Sequence, residues 1–283
     1  LLQPRTLLAA PSIVLTIALL AVPVVVLVCY SFWQVDGYVI TATWNTDNYA
    51  EVIRRYDRVL LNTFSVGLEV GFFTSLAALP VAYAIRFKMG RAQNTVLFLL
   101  LTALFSGYLV RIYAWRIILG DHGILNNVLL WIGLTHEPLQ IFLYNRFSLI
   151  VTQMGFLLPL AVLPIYSALQ NLPKERLDAS HDLGAGRLET FWRVVMPEIA
   201  IATGIAFSLC MALSSGDFLT PTLVGGPNGF LVGQAIARQF GTAFDWPLGS
   251  ALAVSTGLLM ILIVTLVLRS AARWQTRLAR STG

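Results

Sequence analysis

Four ionisable side chains stand inside long apolar stretches of this chain: Glu69, Arg111, Arg116 and Asp217. A charge at the centre of a bilayer costs roughly 2.5–3.5 kcal/mol on insertion scales, so such residues face a cavity, a partner or the water boundary. The chemistry they offer is binding. The carboxylates Glu69 and Asp217 suit a cation, and Phe218, Tyr108, Tyr113 and Trp115 can add cation–π attraction. Arg111 belongs to the same candidate group but opposes a purely cationic ligand unless a neighbour neutralises it. A second reading has Arg111 and Arg116 pairing with Glu69 or Asp217 to set helix packing, with Arg116 snorkelling toward the outer surface. Asp217 carries the most weight, because Pro221 breaks the helix just beyond it. Broken helices at membrane depth are where transporters place binding groups.

Catalytic patterns are missing. The chain has no HExxH, no GxSxG and no paired aspartates at membrane depth, so no catalytic residue is expected. His122, His136 and His181 are scattered, and no metal site is expected either. Cys29 and Cys210 lie in apolar runs and read as buried free thiols. The two lysines, in RFKMGR and LPKER, follow no glycine-rich loop. The chain therefore carries no P-loop, and ATP chemistry would have to come from elsewhere.

The elements that hold these residues are set by run length. Apolar residues make up 57% of the 283 and charged ones 12%. A spanning helix needs roughly 20 apolar residues. Six stretches qualify, at about residues 8–33, 60–85, 95–118, 148–171, 198–218 and 247–269. The first is too long for a secretory h-region and reads as an uncleaved anchor. Strand-period alternation is absent. The expected fold class is an all-α integral membrane protein with six transmembrane helices, forming a single membrane domain over residues 1–283.

Charge fixes the expected orientation. One face collects Arg5, Arg86, Lys88, Arg91, the basic residues of 173–197, and Arg269, Arg273, Arg277 and Arg280. The other holds only Arg54, Arg55, Arg58, Arg146 and Arg238. The positive-inside rule puts both termini and the 173–197 segment in the cytoplasm, so the net charge of +5 is a topology signal and not a nucleic-acid footprint. On the outer side, GILNNVLLWIGL is too short to cross and reads as an interfacial helix. FLTPTLVGGPNG must break a helix, and FLVGQAIARQF is a short helical pattern.

The segment 173–197 interrupts the apolar pattern with nine charges between Lys174 and Glu198. Pro173 suits a helix first turn, and Glu175 and Asp178 favour the N-terminal end of the macrodipole. Gly184 stops the helix, and a second helical stretch runs from about Arg187 to Met196-Pro197.

This segment resembles the EAA loop of permease subunits of binding-protein-dependent ABC importers. Asp178-Ala179-Ser180 stands for EAA, Gly184 follows after three residues, and Val194, Met196 and Pro197 fall on the closing positions. The substitutions are Asp for Glu, Ser for Ala, Val for Ile and Met for Leu. LVRIYAWRIIL, GILNNVLLWIGL, GDFLTPTLVGG and DWPLGSALA are similar to segments of spermidine/putrescine permeases of the first-permease type. The resemblance implies type I importer architecture in a bacterial inner membrane. It implies a second homologous permease subunit, two ATP-binding cassette subunits that hold the ATP and Mg2+, and an extracytoplasmic substrate-binding protein. Glu175, Asp178, Ala179, Ser180, Leu183, Gly184 and Ala185 would dock on the ATPase. The cargo implied is a polyamine. The alternatives are another small solute carried by the same family, or a stand-alone channel or secondary carrier, which would not need the 173–197 socket.

Overall fold

The computed structural model describes residues 4–37 and 39–281, and it is mainly helical. In chain order the helices are α1 Pro4–Tyr30, α2 Asp47–Arg55, α3 Asp57–Phe87, α4 Gln93–Phe105, α5 Tyr108–Leu119 and α6 Ile124–Trp131. They continue with α7 Arg146–Gln170, α8 Lys174–Asp182, α9 Arg187–Thr190, α10 Met196–Gly216, α11 Leu219–Val224, α12 Val232–Phe240 and α13 Trp246–Ser281. A small antiparallel hairpin, β1 Gln34–Asp36 with β2 Val39–Thr41, follows α1, with Val35 opposite Ile40. Neither the hairpin nor α2 is anticipated by the hydropathy pattern.

Among the described residues, four helices are long and apolar enough to cross a membrane: Asp57–Phe87, Arg146–Gln170, Arg187–Gly216 and Trp246–Thr276. The described apolar part of α1, Val14–Tyr30, is shorter. The stretch expected to span at 95–118 is broken. It is a pair of helices, Gly90–Phe105 and Tyr108–Trp131, bent by 100°. Ser106 and Gly107 both adopt extended or turn backbone at the corner, and the Ser106 hydroxyl turns back onto the carbonyl of Ala103. Serine–glycine pairs are a recognised cause of sharp helix kinks, and hydropathy does not register them.

The chain divides into two compact units. One contains the chain up to Leu60 together with Ala235–Leu259. Its order comes from aromatic contacts and a polar staple. Tyr30 packs on Trp33 at 4.5 Å and Phe32 on Tyr49 at 5.4 Å. The buried Asn48 amide donates to the carbonyls of Ser31 and Trp33 at 3.0 and 2.7 Å. The gain is ordinary hydrogen-bond physics: two carbonyls of the turn that follows α1 are satisfied.

The other unit, Leu61–Gln234 with the chain from Met260 onward, holds the main core. Val66, Val70 and Ala78 of α3, Leu149, Ile165 and Leu169 of α7, and Ala206 and Cys210 of α10 are all buried there. Helix α3 closes on α10 because Gly71 has no Cβ. One placed there would lie 3.0 Å from the Phe207 carbonyl and 3.2 Å from its ring. Small residues let helix backbones approach in membranes, where packing and not hydrophobicity drives association. Pro159 and Pro164 lie inside α7, and Pro80 inside α3.

Candidate functional site

The polar segment forms the structure its punctuation demands. Pro173 precedes α8 with φ −65°, and Leu177 turns inward as the buried anchor of the helix. Gly184 ends it with φ +83°, the left-handed region that L side chains avoid. The Gly184 N–H donates to the His181 carbonyl at 2.9 Å and the Ala185 N–H to the Ser180 carbonyl at 3.1 Å. These paired bonds are the Schellman cap, which satisfies carbonyls that a helix end leaves free. Helix α9 then runs through a π turn, Phe191–Val195, into α10. Pro197 follows at the start of α10. Its missing N–H and its ring would disrupt α-type bonding to residue 193, and a wider turn accommodates that.

The result is a short helix held out from the membrane helices. Glu175, Asp178, Ala179, Leu183 and Gly184 are exposed, while Ser180 and Ala185 are half-buried. Leu183 is 89% exposed, a large apolar side chain left uncovered by the described residues. Two braces fix the helix. Arg176 pairs with Glu198 of α10, and the Ser180 hydroxyl meets that of Thr190 at 2.9 Å. The ion pair is solvent-exposed and worth at most about 1 kcal/mol, so its role is to fix direction. Sequence reading groups Ser180 with the presented residues; the structure uses its hydroxyl to hold α8 on α9.

The candidate pathway residues divide into groups. Tyr108, Arg111, Asp217 and Phe218 line one cavity of about 450 Å³ with Phe156 and Gly216. Asp217 is 8% exposed and sits at the gap between α10 and α11. Its Oδ1 accepts from the N–H groups of Leu219 and Thr220 at 3.0 and 3.1 Å, and its Oδ2 accepts from Gln153 Nε2 at 3.0 Å. Every one of these donors is neutral. The charge is solvated by dipoles and no cation of the described residues pairs with it. The helix breaks at Asp217 itself, not beyond it. Pro221 lies in the first turn of α11, where its absent N–H leaves nothing unsatisfied.

Arg111 faces the same cavity without pairing with Asp217. Its guanidinium lies 5.4 Å from the Phe156 ring centroid and reaches the Phe156 carbonyl at 3.5 Å, while its buried Nε has no hydrogen-bond partner among the described residues. Tyr108 stands edge-on to Phe156 and shares a 3.0 Å hydrogen bond with Thr220.

Glu69 lies elsewhere. Arg146 grips both of its oxygens, Nε at 2.9 Å and Nη2 at 2.6 Å, and also donates to Asn62 and Ser65. Asn62 in turn donates to the carbonyls of Asn228 and Phe230. Glu69 thus clamps the 228–230 turn to α3 and α7. The expected pairing of Arg111 or Arg116 with Glu69 or Asp217 does not form; Arg116 donates to the Tyr144 hydroxyl at 2.8 Å. Tyr113 is exposed, and Trp115 lies against Gly155 of α7, so neither joins the cavity.

Two residues that matter were missed. Gln153 carries no charge, so a charge scan passes over it, yet it is a fully buried amide inside an apolar run. Arg146 reads in the sequence only as a topology charge. The Glu69–Arg146 pair is over a third exposed, so each partner contributes about 1 kcal/mol or less to stability. Glu69→Gln is therefore expected to lower the melting temperature slightly and leave the KM for substrate unchanged. A raised KM with unchanged melting would return Glu69 to the pathway.

The fold and sequence have relatives. Over 95% of this chain and 95% of the other, the structure matches a chain of a bacterial ABC transporter involved in import of the acidic polysaccharide alginate, with TM-score 0.75 and 15% identity. A second structure of a bacterial alginate ABC transporter, in complex with its alginate pentasaccharide-bound periplasmic protein, matches with TM-score 0.75 and 15% identity over 96% of this chain and 94% of that one. In sequence, the spermidine/putrescine transport system permease protein PotB of Salmonella typhimurium (strain SL1344) is 30% identical over 236 residues, 83% of this chain and 82% of the relative. Residues 4–281 match the family of binding-protein-dependent transport system inner membrane components. An apolar helical body, a braced polar helix standing off it, and these matches together place the chain in that family, as a membrane permease subunit of an ABC importer.

Proposed function

We propose that this permease moves a polyamine inward by alternating access, in a six-span arrangement with both termini and α8 on the cytoplasmic side. It pairs with a second permease, receives its cargo from an extracytoplasmic binding protein, and is driven by two separate ATPase subunits that hold the ATP and Mg2+. The observation that carries the reading is α8 itself. An exposed helix with an uncovered Leu183, buried by one anchor residue and braced at two points, is what a lever needs: a surface for a partner and a stiff link to α10. Cargo binding falls to the Asp217 cavity, where a carboxylate solvated only by neutral donors keeps its charge available to a cation. The polyamine assignment is supported by the PotB relative.

A second reading, another small solute that bears an anionic group, is favoured by one observation. Arg111 lines the same cavity with an unpartnered Nε.

The socket is tested by Leu183→Cys in a background without Cys29 and Cys210. A thiol-reactive cross-linker should join this chain to the ATPase chain in the co-purified complex, and the yield should change when ATP is added. Cross-linking absent in both states, with the complex intact, would remove α8 as the contact.

A further inference from the structure

The second unit holds a groove of about 1370 Å³, bounded by α3, the segment Arg187–Val195, α10 and the C-terminal part of α13. Its walls are apolar along most of their length, with Phe72, Leu76 and Leu79 on one side and Phe207 and Val267 on others. On α3 the lining runs from Phe72 to Lys88, about 24 Å at 1.5 Å per residue. One leaflet of a bilayer is about 15 Å of hydrocarbon, half the roughly 30 Å core. The groove is long enough for an acyl chain.

Its mouth is different. Lys88, His181 and Arg187 gather at one end beside Trp274. A shallower hollow continues from there past Arg269 and Arg273, sharing Val267, Ser270 and Trp274 with the groove. Among the described residues, the ion pairs formed are Arg55–Glu51, Arg146–Glu69, Arg176–Glu198 and Arg193–Glu189, so none of Lys88, Arg187, Arg269 and Arg273 has a carboxylate partner. Four unneutralised cations around a tryptophan, at the end of an apolar slot, complement a ligand with an anionic head and a hydrocarbon tail. Basic pockets between membrane helices bind such head groups.

We infer that this groove is a binding site for one anionic phospholipid, its phosphate held by Lys88 and Arg187 and an acyl chain lying along α3 and α10. The site is independent of the cargo assignment. His181 belongs to α8 and Arg187 starts α9, so a lipid in the groove would touch the lever.

The test uses the detergent-extracted complex with the subunits that co-purify with it, reconstituted in nanodiscs of equal phosphatidylglycerol and phosphatidylcholine and then released for native mass spectrometry. Wild type should retain phosphatidylglycerol in preference to phosphatidylcholine. Retention should fall about tenfold in the Lys88→Gln, Arg187→Gln double variant and in Thr203→Trp, which fills the groove and leaves the cations in place. Lys174→Gln, a basic residue outside the groove, should retain lipid like wild type. Equal retention of the two lipids, or the same loss in Lys174→Gln, would mean diffuse charge and overturn the site. Displacement of the lipid by millimolar inorganic phosphate alone would reassign it to a phosphate site. Should Phe72→Cys cross-link efficiently to another permease chain and not to a thiol-reactive phospholipid, a protein partner fills the groove and the inference fails.

Discussion

Gly184→Val is expected to cut coupled uptake at least tenfold while the permease stays folded and inserted. The glycine sits at φ +83°, where a side chain costs about 1–2 kcal/mol and a β-branched one more. A Cβ there meets none of the described residues within 4 Å, so the penalty is conformational and confined to the turn. The chain relieves it by abandoning the left-handed turn, and with it the two bonds that close α8, from Gly184 to His181 and from Ala185 to Ser180. Leu183 and the exposed face of α8 then lose their fixed direction. Gly184→Asn is the control, since asparagine tolerates this backbone and adds a side chain to the same surface. If valine fails and asparagine retains coupling, the turn geometry matters. Failure of both would point to space on the docking face. Normal substrate-stimulated ATPase activity and uptake in Gly184→Val would show that this turn does not couple.

Asp217→Asn is expected to raise the KM for polyamine at least tenfold, equivalent to about 1.4 kcal/mol of lost attraction. The substitution is nearly isosteric. The amide oxygen can still accept from the N–H groups of Leu219 and Thr220, so the junction between α10 and α11 survives. The new NH2 faces Gln153 Nε2, a donor against a donor, at a cost of about 1–3 kcal/mol unless Gln153 flips. Ser214 can accommodate that flip, because its hydroxyl, now donating to Gln153 Oε1 at 2.6 Å, can accept instead. Assembly should therefore persist while the cavity loses its negative charge. Uptake kinetics identical to wild type would remove Asp217 from the binding site. A larger effect from Arg111→Gln than from Asp217→Asn would favour a cargo with an anionic group.

How much of this was legible depended on whether the deciding signal was local. The 173–197 segment could be read because its geometry is written in residues with backbone consequences: Pro173 at a first turn, Gly184 at a cap, Pro197 at a re-entry. The long spans at α3, α7, α10 and α13 follow from run length alone. The corner at Ser106–Gly107 was not legible, since an apolar run continues through it and a two-residue kink leaves mean hydropathy unchanged. The position of the second break was misjudged for a related reason. Pro221 announces an irregularity, but Asp217 decides where it falls by accepting the first free N–H groups of α11.

Pairings were the least legible part. Glu69 finds Arg146, 77 residues away, and no periodicity links them. The sequence shows both charges and the cost of leaving either unpaired. It does not show that Arg146, at the start of α7, falls beside Glu69, while Arg111 of α5 turns toward Phe156 of α7. The same blindness hid Gln153, whose contribution to the cavity is to hold a neighbour's carboxylate in place.

The most direct measurement is ATP hydrolysis by the complex in proteoliposomes, with its binding protein, in the presence of spermidine, putrescine or uncharged solutes. Stimulation by a polyamine in wild type, lost in Gly184→Val and shifted to higher concentration in Asp217→Asn, is the predicted result. Hydrolysis that ignores polyamines and responds only to another solute would contradict polyamine import. Transport that proceeds without the ATPase subunits would contradict the lever.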